Sequence, residues 1–124
     1  NGEKKDVKVI NGSVLNTGFK IIYYGDEFPV YDVESFQLVR DNEGGYRMKF
    51  YKDKKNVYLD KEIIPQADPE SFQVVDLGFS KDRNNVYHKY SILKDADCKS
   101  FKKKSAGLWG DKNGNNYDYK GNKK

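Results

Sequence analysis

Asp53-Lys54-Lys55-Asn56-Val57-Tyr58 returns as Asp82-Arg83-Asn84-Asn85-Val86-Tyr87, and the spacing between the two copies decides how this chain is read. A looser third copy, Asp111-Lys112-Asn113 running on to Tyr117, keeps the same Asp-to-Asp step of 29 residues. A second element repeats at that step: Ala67-Asp68-Pro69-Glu70-Ser71-Phe72 matches Ala96-Asp97-Cys98-Lys99-Ser100-Phe101. Ile63 matches Ile92, Ile64 matches Leu93 and Gly78 matches Gly107. So many matches at one offset mark an internal repeat, the signature of an architecture whose units bury a core only together.

Working outward, Asp32-Val33-Glu34-Ser35-Phe36 echoes the second element, but Phe36 lies 36 residues before Phe72. The seven extra residues fall near Arg40 to Arg47, around Gly44-Gly45, and read as a loop insertion. One domain over residues 1–124 follows, with a degenerate repeat at about 21–52, repeats at 53–81 and 82–110, and a partial repeat at 111–124. The last unit is half a repeat: either an open hairpin ends the protein or the array runs on. A chain that opens at Asn1 with no initiating Met reads as a trimmed piece, compatible with a removed secretion signal.

Local chemistry gives each unit its shape. Val57 to Ile64 and Val86 to Leu93 are β-branched and aromatic runs that read as strands. The Asp-Lys/Arg-Asn stretch before each is turn chemistry, because Asp accepts from amides two or three residues on and Asn tolerates positive φ. Gly78-Phe79 and Gly107-Leu108 begin the strand entering that turn, giving one hairpin per unit. Asp68-Pro69-Glu70 has the form of an N-cap with a first-turn Pro and acid, so a short helical or 3-10 turn is expected there. Phe36, Phe72 and Phe101 would plug the core of successive units. The expected fold is mainly β: repeated hairpins of about 29 residues joined by such turns.

The Asp-Lys-Asn-Asn-Val-Tyr hairpin, followed by Ala-Asp-Pro-x-Ser-Phe, resembles the bacterial DKNYY repeat family, closely over residues 50–119 and weakly over 19–49. Cys98 in place of Pro and Gly114 inserted in the last turn depart from the pattern. The resemblance implies a bacterial source and proteins of the envelope or of toxin–immunity loci; it implies no activity, so no functional residue carries over.

Composition sets the remaining bounds. Apolar residues make up 36% and charged residues 34% of 124, so the core is economical and leans on ten Tyr and seven Phe. No stretch approaches the ~20 apolar residues of a membrane helix. Cys98 is alone, which excludes an intramolecular disulfide and a Cys-based zinc site and favours a small buried hydrophobe. The net charge of +4 is uneven: residues 1–98 carry 15 Lys/Arg against 17 Asp/Glu, residues 99–124 eight Lys against Asp111 and Asp118. A solvated face with a frayed tail explains that cluster better than nucleic acid, since no aromatic-basic run accompanies it.

Catalytic chemistry finds little footing. His88, the single histidine, stands where the preceding repeat has Leu59, which favours packing or exposure over acid–base work. Asp111-x-Asn113-x-Asn115 has the 1, 3, 5 spacing of a calcium loop, but Asn116 replaces the Gly and no Glu closes it, so a hairpin turn is the better account. No catalytic, cofactor-binding or metal residues are assigned, and no cofactor is expected. Trp109 is a candidate contact because its counterpart is Ser80 and repeat packing does not dictate it. With His88, Tyr46 and Tyr90 it forms the candidate contact surface. The expectation is a non-catalytic module binding another protein at or outside the bacterial envelope, with no nucleic-acid partner and no membrane insertion. An immunity-type inhibitor occluding a toxin is the first alternative. A carbohydrate-binding module, with Trp109 and several Tyr lying flat and exposed, is the second.

Overall fold

The computed structural model describes residues 6–40 and 48–124. All its regular structure is β, in four antiparallel sheets in which every strand pairs with its neighbour in sequence. The first sheet holds β1 (Lys8–Asn11), β2 (Val14–Asn16), β3 (Ile21–Tyr23) and β4 (Asp26–Phe28). The second holds β5 (Gln37–Arg40), β6 (Phe50–Lys52), β7 (Val57–Leu59) and β8 (Glu62–Ile63). The third holds β9 (Gln73–Asp76), β10 (Phe79–Lys81), β11 (Val86–His88) and β12 (Ser91–Ile92). The fourth has β13 (Lys102–Ser105), β14 (Leu108–Gly110) and β15 (Asn116–Tyr117).

The unit is therefore a four-stranded meander rather than a hairpin. Val57 to Ile64 is not one strand: a two-residue turn at Asp60-Lys61 folds it back, pairing Leu59 with Glu62. Asp60 takes φ 55°, and Lys89 takes φ 53° in the matching turn of the third sheet. Both are costly left-handed positions for residues with a Cβ, and neither is marked by glycine. The expected helical turns are also absent among the described residues. Asp68 to Ser71 makes a single turn whose polar groups are engaged from outside: the Asp68 amide donates to Asp82 (2.8 Å) and Ser71 Oγ accepts from the Arg83 amide (2.9 Å). Phe72 then enters the core and Gln73 begins a strand, so the turn cannot propagate.

The first sheet is a complete unit beginning at Lys8, earlier than the repeat boundary read near residue 21. Its pairings Val9–Leu15–Ile22 match Leu38–Tyr51–Tyr58 in the second sheet. Thr17 stands where the other units have the turn Asp, and its hydroxyl accepts from the Phe19 and Lys20 amides (3.2 and 3.1 Å). The offset of 36 between these two units is taken up between Arg40 and Phe50. Residues 41–47, including Gly44-Gly45 and Tyr46, lie outside the described residues.

Alternation along each strand gives every sheet two faces, and the core lies between consecutive sheets. Ile10, Val14, Ile21 and Tyr23 of the first sheet meet Leu38, Tyr51 and Tyr58 of the second, with Phe36 between them. Phe50, Val57 and Leu59 meet Val74 and Tyr87 around Phe72. Phe79 and Val86 meet Trp109 and Tyr117 around Phe101. Phe36, Phe72 and Phe101 do plug equivalent places, each nearly inaccessible to solvent. Between sheets, the first strands β1, β5, β9 and β13 make the backbone approaches, so the sheets fan from a common spine.

Candidate functional site

Among the described residues, the turn aspartates Asp53, Asp82 and Asp111 are heavily used polar groups, each accepting four hydrogen bonds. Asp82 Oδ1 accepts from the Asn84 and Asn85 amides, both at 2.8 Å, while Oδ2 accepts from the Asp68 amide (2.8 Å) and the Tyr87 hydroxyl (2.6 Å). Asp53 repeats the set with Lys55, Asn56, Asp32 and Tyr58. Asp111 does so with the Asn113, Asn115 and Asp97 amides, but Asn115 Nδ2 (3.0 Å) takes the place of the tyrosine. Burial works against ionisation of Asp53 and Asp111; the surrounding donors outweigh it, holding both carboxyls below the usual range and Asp111 at about 2. Burial together with the Asp82 hydrogen bond pushes the Tyr87 hydroxyl well above its ordinary value. These carboxylates are saturated with N–H and O–H donors, which accounts for the Asp111-x-Asn113-x-Asn115 spacing as a turn.

Three of the four candidate contact residues can be placed. Trp109 is not exposed: it is 1% accessible, stacked on Phe79 with centroids 5.1 Å apart. Ser80 was its nearest comparison, but two units back the same position is Tyr51, also buried, so repeat packing accommodates Trp109 after all. The carbohydrate reading loses the exposed ring on which it depended. His88 is partly buried in the Leu59 position, its ring 4.8 Å from that of Phe79 and its Nε2 3.1 Å from the Tyr119 carbonyl. Desolvation lowers its pKa. Tyr90 packs at the margin of the second core and donates to the Leu59 carbonyl (2.8 Å). These residues form no common surface: Trp109 is interior, and His88 and Tyr90 serve different cores.

Two surfaces stand out instead. On the outward face of the first sheet, Leu15 and Ile22 occupy positions that in later units are buried against a preceding sheet, with Val9 beside them in the place of Leu38, Val74 and Lys103. Val7 precedes them in the Phe36 position; Val7 is 59% and Val9 68% exposed. At the other end, the outward face of the fourth sheet is polar, carrying Lys102, Gly110 and Asn116 in register. Beside it, Lys81, Lys99, Lys102, Lys104 and Lys112 line a groove of about 620 Å³. Single-sequence reading missed the first surface because its signal is visible only once the register of β1 to β3 is known.

The DKNYY family model matches residues 18–72 and again residues 66–122. The chain belongs to the DKNYY family. Each match spans about two of the structural units, and their overlap at residues 66–72 falls on the Asp68-to-Phe72 latch between the second and third sheets. No curated protein and no solved structure gives a significant match. Within the matched residues, the Asp53-to-Tyr58 and Asp82-to-Tyr87 segments are each a turn Asp, the amides it captures and the tyrosine that closes on it.

Proposed function

We propose that this DKNYY chain is a non-catalytic module that binds another protein through the outward face of its first sheet. The observation that carries the reading is the aliphatic row Val7, Val9, Leu15 and Ile22, in which Val7 and Val9 are exposed and Leu15 and Ile22 half-buried. In the three later units the positions of Val7, Leu15 and Ile22 are buried, at Phe36, Tyr51 and Tyr58, at Phe72, Ser80 and Tyr87, and at Phe101, Trp109 and Tyr117, while the Val9 position is partly buried at Leu38 and Val74 and exposed at Lys103. Full burial of one such aliphatic side chain is worth ~1.5–3 kcal/mol, enough for a handful to anchor a contact. A partner offering a flat aliphatic and aromatic face, like that formed by Phe50, Val57 and Leu59, fits the surface. A binding role is also supported by the use of the buried Asp and Tyr hydroxyl groups, which are spent on the turns. Location at the bacterial envelope is part of the same proposal and follows from the family resemblance.

A photo-crosslinking residue at Val9, in cells that produce the protein natively, tests it. One discrete protein adduct is expected, and it should disappear in an Ile22→Lys variant that keeps the wild-type circular dichroism and Tm. No adduct, or one that survives Ile22→Lys, would overturn the reading.

A further inference from the structure

The lysine groove beside the fourth sheet breaks a charge pattern that the second and third units keep. In the third unit Arg83 Nη2 meets Glu70 Oε1 at 3.3 Å and Arg83 Nε meets Asp68 Oδ2 at 2.8 Å. The second unit places Lys54 and Glu34 at the corresponding positions. In the fourth unit those positions are Lys112 and Lys99: Asp97 keeps the place of Asp68 beside Lys112, but the Glu70 carboxylate has become a second cation lining the groove. Lys102 replaces Gln73 and Lys104 replaces Val75 of the unit before, adding two more positive charges to the groove. None of these four is required by the repeat. Lys104 Nζ is held by Asn116 Oδ1 (2.8 Å) and Lys81 Nζ by the Phe101 carbonyl (2.9 Å), neither of them a carboxylate. The buried Asp111 lies at the groove floor with its oxygens already engaged by amides.

Like charges in a shared groove repel, and a bound anion relieves the repulsion. We propose that this groove docks an acidic segment, rich in Asp and Glu, of a partner protein, at a site separate from the apolar face of the first sheet. A segment is favoured over a single small anion because the lysines come from β10, the linker before β13, β13 itself and the β14–β15 turn, spread along a groove of about 620 Å³. Nucleic acid is disfavoured because the nearby rings, Phe101, Trp109 and Tyr117, are buried and leave no platform for base stacking. A lipid surface is disfavoured because β13 and the turn after it expose only Lys, Ser, Ala and Gly, with nothing to insert.

The test is fluorescence anisotropy of the full chain with a labelled Glu-rich peptide, alongside a single-stranded oligonucleotide, anionic phosphatidylglycerol vesicles and inorganic phosphate. Lys99→Glu restores the pairing seen in the third unit. It should weaken peptide binding by about tenfold or more while Tm stays level or rises, and Lys61→Glu on the second sheet should leave binding within about twofold. Ile22→Lys should leave it unchanged as well, which separates failure here from failure of the apolar contact. No peptide binding, equal loss in Lys61→Glu, or tighter binding of the oligonucleotide, vesicles or phosphate than of the peptide would each overturn the proposal.

Discussion

The Tyr87 hydroxyl donates to Asp82 Oδ2 at 2.6 Å, and both residues are buried. Tyr58 and Asp53 make the same bond at the same distance one unit earlier. In the fourth unit the inserted Gly114 reshapes the turn, and Asn115 Nδ2 takes the carboxylate oxygen that a tyrosine holds elsewhere. Tyr87→Phe should therefore cost about 0.5–1.5 kcal/mol and Tyr117→Phe close to nothing. Urea unfolding of both, with an Asp82→Asn double-mutant cycle on Tyr87, measures the contrast. Equal losses at the two tyrosines would remove the latch as its cause.

Phe72 sits between the second and third sheets, within 5.8 Å of Phe50 and 6.4 Å of Tyr87 by ring centroids. Truncating it leaves a hole bounded by two sheets that are pinned by their own turns. Phe72→Ala should cost about 3–5 kcal/mol in equilibrium unfolding, and a loss below about 1 kcal/mol would refute its role as a plug.

Stability should fall in two separate acid steps. His88 has its pKa lowered by desolvation from the ordinary 6.5, so the folded state binds fewer protons than the unfolded chain. Its contribution is complete above pH 6.5 and is lost as the pH falls through the folded value. Asp111, ordinarily near 3.8 and held at about 2, contributes fully above pH 3.8 and loses that contribution as the pH falls towards 2. His88→Leu, which installs the residue of the preceding unit, should abolish the first step and leave the second. Unfolding free energies measured from pH 8 to pH 2 decide it: a first step that survives His88→Leu belongs to another group.

The 29-residue period, the plugging phenylalanines and the turn aspartates were legible because they depend on specific side chains recurring at one spacing. What stayed hidden depends on backbone geometry or on chemistry kept under changed letters. The turns at Asp60 and Lys89 interrupt apolar runs without a glycine, since the pairings of Leu59 with Glu62 and of His88 with Ser91 impose their left-handed φ. The first sheet escaped notice because Thr17 performs the amide capture of an Asp, and Leu15 and Ile22 replace two tyrosines. Comparison with Ser80 hides the core role of Trp109, because the third unit is the one that lacks a large aliphatic or aromatic side chain there, against Leu15, Tyr51 and Trp109 in the others. The Ser80 hydroxyl is buried with no hydrogen-bond partner among the described residues, which marks that unit as the exception.

The strict neighbour-to-neighbour pairing of the strands also bears on how the chain reaches this fold. No sheet waits for a distant segment, so ordering can start in any unit and spread to the next with little loop-closure entropy at each step. The second sheet packs on the first and the third, and the third on the second and the fourth, which makes these two the natural places to start. Docking at Val9 and Ile22 would tie β1 to β3 across β2, so a bound partner would slow the unfolding of the first sheet as well as occupy its surface.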